Sequence, residues 1–243
     1  MHDLIGIDLY CERTGPGFWA EPINAVSNLA FVVAALVAMR LRARRGFGDA
    51  WELWVIVLAG SIGIGSFLFH TFASAWAQLA DIVPIWSFVL AYALLVIYRV
   101  GGKRWVRIAL PVFLTLVVVL GARWALSHDD TLAVSPPLNG SLQYLPALLA
   151  LLGFSAWFWK QGSALRFVFT TASILFLVAL FFRTVDFTLC ELTGGTGTHF
   201  LWHVLDALMI GLLLHTLVLR LPPAAQRIVK PGPQDQDSIA RKP

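Results

Sequence analysis

Charge is what this chain is short of. Charged residues make up 13% of its 243 positions, about half the quarter that a soluble domain carries. The few charges bunch between long apolar runs, and 58% of the chain is hydrophobic. That pattern excludes a large-cored soluble protein and implies a polytopic membrane protein, all-α. A basic stretch ahead of an apolar run is also missing: "MHDLIGIDLYCER" mixes acids with apolar residues, so no cleavable signal peptide is expected. No repeat of fixed period is present, and no segment between apolar runs is long enough for a soluble domain. Residues 1–220 therefore read as one domain, opened by an outer segment over 1–23. The Pro-rich tail 221–243 reads as disordered and cytoplasmic.

What is present is a set of runs long enough to span, each needing roughly 20 residues. Seven are expected, near residues 24–43, 52–73, 79–99, 105–125, 142–159, 166–185 and 199–220, which predicts a seven-helix bundle. Every Lys and Arg except Arg13, Arg123 and Arg183 falls on one side of that arrangement. The bias puts the N-terminus outside and the C-terminus in the cytoplasm. The formal charge of +4 then serves topology and anionic headgroups rather than nucleic acid. Trp51, Trp105 and Trp124 fall near span ends and read as interfacial anchors.

Ionisable residues inside spans are costly and need a reason. Here they are His70, Asp81, Arg183, Asp186, His199, His203, Asp206 and His215. His199 and His203, in "GTHFLWHVLD", stand four apart, so a helix puts both imidazoles on one face, as two ligands of one metal would be. Ser66 and His70 share that spacing, and Asp206 follows His203 by three. The topology brings His70 at the end of the second span, Asp81 at the start of the third, and His199 and His203 at the start of the seventh to one leaflet. Three histidines and a carboxylate compose a catalytic zinc site, with three protein nitrogens and one position left for water. A bis-histidine haem site is the other reading of such residues. The motif is not HExxH, because Phe200 follows His199, so Asp81 is the best-placed base. Ser66 reads equally as an oxyanion donor or as a helix-packing serine. His215 reads as a packing or interfacial residue, and Arg183 and Asp186, i and i+3, as a structural ion pair.

"SFLFHTF", Asp81 eleven residues beyond His70, "HFLWH" and the N-terminal "YCERTGPGFWAEPINAVSNLAF" together resemble the alkaline ceramidases. That family lies in a wider superfamily of seven-span membrane hydrolases that includes adiponectin-receptor-like proteins. The resemblance runs from about residue 8 to 215. It implies a zinc amidase that cleaves the N-acyl bond of ceramide to a sphingoid base and a fatty acid. Zinc would sit on His70, His199 and His203. Asp81 would bind or orient the water, and Ser66 would support the metal site or the oxyanion. It also implies calcium on acidic residues of the N-terminal segment, Glu12, Glu21 and Asp8. In this chain, however, Asp8 is displaced by one position and Thr14 replaces an amide.

Cys11 and Cys190 are both expected outside, where a disulfide between them can persist. The expected partner is a membrane lipid, ceramide or another N-acyl lipid, in a bacterial inner membrane with the site toward the outer leaflet. A non-catalytic lipid receptor with a structural zinc is the alternative. A transporter is disfavoured by the absence of an inverted repeat or a pair of broken helices.

Overall fold

The computed structural model describes residues 7–107, 110, 137–221 and 223. Among these there is no strand. A short helix α1 (Pro22–Ser27) leads into α2 (Leu29–Arg45), followed by α3 (Ala50–Phe72) and α4 (Ala75–Gly101). A 3-10 segment, Pro137–Tyr144, opens α5 (Leu145–Lys160), and α6 (Leu165–Thr184) and α7 (His199–Arg220) complete the described bundle. Six helical stretches are long and apolar enough to cross a membrane. They coincide with six of the seven expected spans. The expected fourth, 105–125, lies almost wholly outside the described residues, as do Trp124, Arg123 and nearly all of the tail.

Why the helices pack as they do follows from their composition. Leu36, Ile64, Leu79, Leu149, Ile174 and Leu208 are all exposed, forming the apolar exterior that a lipid solvent requires. The apolar windows of α3 and α7 are the most buried, 56% and 61%, against 28–39% for the rest. These two are the central helices, and they carry the three histidines. Small residues let them approach their neighbours. A Cβ added to Gly63 would lie 2.7 Å from the Asn28 carbonyl, and one added to Gly65 would lie 1.9 Å from the Ala80 carbonyl.

At the basic end, buried Glu52 accepts from Arg45 at 2.5 Å and from Arg99 at 2.8 Å. Asp49 caps α3 through the Glu52 amide at 2.7 Å and also pairs with Arg99 at 2.9 Å. Arg99 donates to the Leu217 and Leu221 carbonyls, and Arg45 to that of Val218, closing the C-terminal end of α7. Cations on the last carbonyls of a helix complement its dipole. Of the described basic residues, only Arg13 and Arg183 sit at the opposite end.

Candidate metal centre and its cavity

The turn between α3 and α4 is shorter than the sequence suggests. Ala73 takes a left-handed conformation (φ 44) and closes α3, Ser74 is the N-cap of α4, and α4 begins at Ala75, four residues before the expected 79. Asp81 thereby falls inside the second turn of α4. It faces α3 where Gly65 allows the two helices to touch. Ser66, buried, stands close to the Asp81 carboxylate. One Asp81 oxygen keeps no partner.

His70, His199 and His203 are buried, and one nitrogen from each lies within 4.8 Å of the others. Their tautomers follow from their outer contacts. His70 Nδ1 is 2.5 Å from Glu21 Oε2; a carboxylate accepts, so Nδ1 carries the proton. Ser27 donates its only hydroxyl proton to the Asn24 carbonyl at 2.7 Å. Its oxygen must therefore accept from His203 Nδ1, also at 2.7 Å. With both rings neutral the two Nε2 atoms are bare lone pairs, yet they face each other at 3.2 Å. Two unprotonated nitrogens at that range repel unless a cation lies between them. A tetrahedral zinc holding each at about 2.0–2.1 Å separates them by roughly 3.3 Å, so the donor set fits the ion. His199 adds the third ring, with Nδ1 lacking any hydrogen-bond partner.

His199 is set by groups outside its own helix. Buried Asp186 accepts the Thr198 and His199 amides at 2.6 and 2.9 Å, supplying the α7 N-terminus with an acceptor. The same carboxylate takes the Cys11 amide at 2.9 Å, and Cys11 is joined to Cys190 by a disulfide with Cα atoms 5.6 Å apart. Gly197 (φ 70) permits this closeness: a Cβ there would lie 2.2 Å from Asp186 Oδ1. Tyr10 stacks on the His199 ring at 3.6 Å.

Asp186 is therefore not the partner of Arg183, contrary to the i, i+3 expectation. Its two oxygens are taken by main-chain amides, while Arg183 extends to the Tyr10 hydroxyl at 2.9 Å. The Arg183 guanidinium lies 5.2–5.4 Å from the rings of Tyr10, Tyr144 and Trp202. The residue sits at the end of α6, where its side chain enters the space beside the histidines instead of folding along its own helix.

That space is a cavity, partly open to the outside. Ser66, Asp81, Arg183, His199, His203 and Asp206 line its polar head. Apolar side chains such as Phe31, Trp86 and Phe88 line the remainder down to Leu213. From His199 to Leu213 the lining extends over about 21 Å of helix at 1.5 Å per residue. His215 is exposed and takes no part.

The N-terminal segment closes the polar head. Asp8 is exposed, whereas Glu12 and Glu21 are buried. Glu12 accepts the Ile23 and Asn24 amides of α1 at 2.7 and 2.8 Å. Burial nevertheless raises its pKa against those two bonds. Burial would also raise Glu21, but its bonds to His70, Arg13 and Asn24 prevail and hold its pKa below the usual carboxylate value. Of the residues around the histidines, Tyr10, Arg13 and Ser27 carried no assigned role in the sequence. The only prior sign of Ser27 was a polar set, Asn24, Ser27 and Asn28, opening an otherwise apolar span.

A bundle of membrane-crossing helices with a buried three-histidine group at the head of an apolar cavity defines a membrane protein able to hold a metal beside a lipid. A family model described as Ceramidase matches residues 10–225. The chain belongs to the ceramidase family, which supports a ceramidase-type hydrolase. Among curated proteins, none matches it.

Proposed function

We propose that this protein is a zinc-dependent membrane amidohydrolase that cleaves the N-acyl amide of ceramide or a related N-acyl lipid, releasing a fatty acid and an amine. The observation that carries this reading is the meeting of the His70 and His203 Nε2 atoms at 3.2 Å at the polar head of an apolar cavity. His70, His199 and His203 hold the metal. Zinc bound there supplies Lewis acidity and makes a water nucleophilic at neutral pH. The acyl chain lies along α7 against Phe31, Trp86 and Phe88, which keep bulk water from the amide. Asp81, with one oxygen free, takes the proton of the attacking water and returns it to the leaving nitrogen. Ser66 donates to the other Asp81 oxygen and aims the carboxylate. The same reading gives seven spans in a bacterial inner membrane, with the N-terminus and the metal end outside and the C-terminus in the cytoplasm. The gathering of basic residues at the opposite end supports it.

The test is release of labelled fatty acid from N-acyl lipids by the zinc-loaded protein. His203→Ala should lose both zinc and turnover. Asp81→Asn should keep zinc and lose about 10²–10⁴-fold in rate. A protein that binds one zinc but releases fatty acid from no amide lipid refutes the enzyme reading and leaves a lipid receptor with a structural metal.

A further inference from the structure

Calcium is the second ion that the resemblance implies, on Asp8, Glu12 and Glu21, and the residues present do not fit it. Calcium takes six to eight oxygens at about 2.3–2.6 Å. In this structure a guanidinium already holds the oxygens such an ion would collect. Arg13 Nε lies 2.5 Å from Glu21 Oε1. Its two other nitrogens bond the Gly15 carbonyl at 3.1 Å and the His70 carbonyl at 2.9 Å. One carboxylate and two carbonyls form a hard-cation donor set, here converged on a side chain of the protein. The remaining acids do not make up the loss. Asp8 is exposed, and both Glu12 oxygens are occupied by main-chain amides of α1. A divalent ion entering beside Glu21 would also stand next to a fixed positive charge, in a buried site that screens it poorly.

We infer that Arg13 is a covalently attached cation that takes the place of a bound calcium, and that it positions His70 for the metal. It acts on His70 from two sides. It fixes Glu21, whose other oxygen orients the His70 ring through Nδ1 at 2.5 Å, and it grips the carbonyl of His70 itself. This part rests on the proposal that His70 binds zinc. The claim that the outer cluster has no need of calcium does not.

The experiment measures metal binding to the purified full-length protein. Calcium binding and the melting midpoint of the wild type are recorded in millimolar calcium and in a calcium-selective chelator. Zinc affinity is measured by competition with a chromogenic chelator for the wild type, Arg13→Lys and Arg13→Ala. The wild type should bind no calcium and show no shift. Arg13→Ala should weaken zinc by about 10–100-fold, the usual cost of removing an outer-shell support. Arg13→Lys should recover part of that loss, since an ammonium can bond Glu21 but lacks the fork that reaches three acceptors. Millimolar calcium should strengthen zinc binding in Arg13→Ala alone, where the vacated oxygens can accept an ion. Calcium binding by the wild type, unchanged zinc affinity in Arg13→Ala, or indifference of that variant to calcium each overturns the inference. If Arg13→Ala does not fold, the wild-type calcium measurement and the zinc affinity of Arg13→Lys decide it. A wild type that binds no zinc sinks the proposed function, and the calcium arm still decides this inference.

Discussion

Gly65 is the position at which packing and catalysis are most directly coupled. A methyl group placed there would lie 1.9 Å from the Ala80 carbonyl oxygen and 3.1 Å from the Asp81 amide. Ordinary contact begins at 3.4 Å, so Gly65→Ala must part α3 from α4 by roughly 1.5 Å, a distance at which misplacement of a reacting group costs on the order of 10²-fold in rate. The obstacle is backbone, which cannot swing aside as a flexible side chain would. Two energies oppose each other in stability. Overpacking costs about 1–3 kcal/mol, while replacing a helical glycine with alanine gains about 0.5–1 kcal/mol. The expected net loss is about 0–2.5 kcal/mol. Ser66 stays on α3 with His70 while Asp81 moves away on α4, so the carboxylate leaves the serine and the histidines remain. Fatty-acid release should therefore fall about 100-fold with zinc content unchanged. Gly153→Ala on α5 is the control, because nothing lies within 4 Å of its added carbon; it should leave rate and zinc content alone. A Gly65→Ala protein with wild-type turnover would refute the claim that this crossing places Asp81, whatever its melting midpoint.

Ser27→Ala removes the acceptor of His203 Nδ1, and zinc affinity should fall about 10–100-fold; an unchanged affinity would mean that Ser27 does not orient the ring. Cys11→Ser opens a link between residues 179 apart and should lower stability by about 2–5 kcal/mol. Reduction of the wild type should reproduce the drop in melting midpoint. Glu52→Gln leaves Arg42, Arg45 and Arg99 without their buried carboxylate and should cost about 3–5 kcal/mol with zinc affinity intact, since that network lies at the far end of the bundle. Burial raises the pKa of Tyr10 above its ordinary 10.0, with Arg183 opposing. In that alkaline window the native state holds a proton that the unfolded chain has lost, so stability falls as pH rises. Tyr10→Phe should flatten this slope in a pH series of melting midpoints.

Much of this was legible in the sequence, for a definite reason. A membrane solvent forces apolar runs and penalises lone polar groups, so six spans and the residues His70, Asp81, His199 and His203 stand out against a quiet background. The HxxxH spacing reports a shared helix face directly. The meeting of His70 with His199 and His203 and the Cys11–Cys190 link were legible too, whereas the hydrogen-bond partners that distant segments supply were not. Arg183 and Asp186 looked like a pair because they are three apart, yet main-chain amides of the α7 N-terminus and of Cys11 claim the aspartate first. Helix ends leave such donors open, and no periodicity in the chain says which carboxylate will reach them. Ser27 was hidden because a serine at the start of a span has many ordinary uses. Glu21 is a calcium ligand by the family resemblance alone, whereas its partners, Arg13 and the His70 ring, are set by the fold.

The outer contacts of the metal centre share one origin. Between residues 7 and 28, the Ile7 amide donates to the Ala73 carbonyl at 2.8 Å, Tyr10 covers His199, Cys11 ties to Cys190 and Asp186, Arg13 and Glu21 hold His70, and Ser27 orients His203. The histidines themselves come from α3 and α7, central helices held at their other end by Glu52, Arg45 and Arg99. The bundle therefore provides the rings and the cavity, and the stretch laid across one end orients His70 and His203 and covers His199, whose helix end Asp186 holds. Such a division explains why so short a segment carries so many buried polar groups. Each of Glu12, Arg13, Glu21, Asn24 and Asn28 is at most 7% exposed, a burden that unpaired groups would make prohibitive. The bonds of Glu12 to the Ile23 and Asn24 amides, of Arg13 to Glu21 and of Glu21 to His70 offset that cost, whereas Asn24 Oδ1 and Asn28 Oδ1 keep no partner.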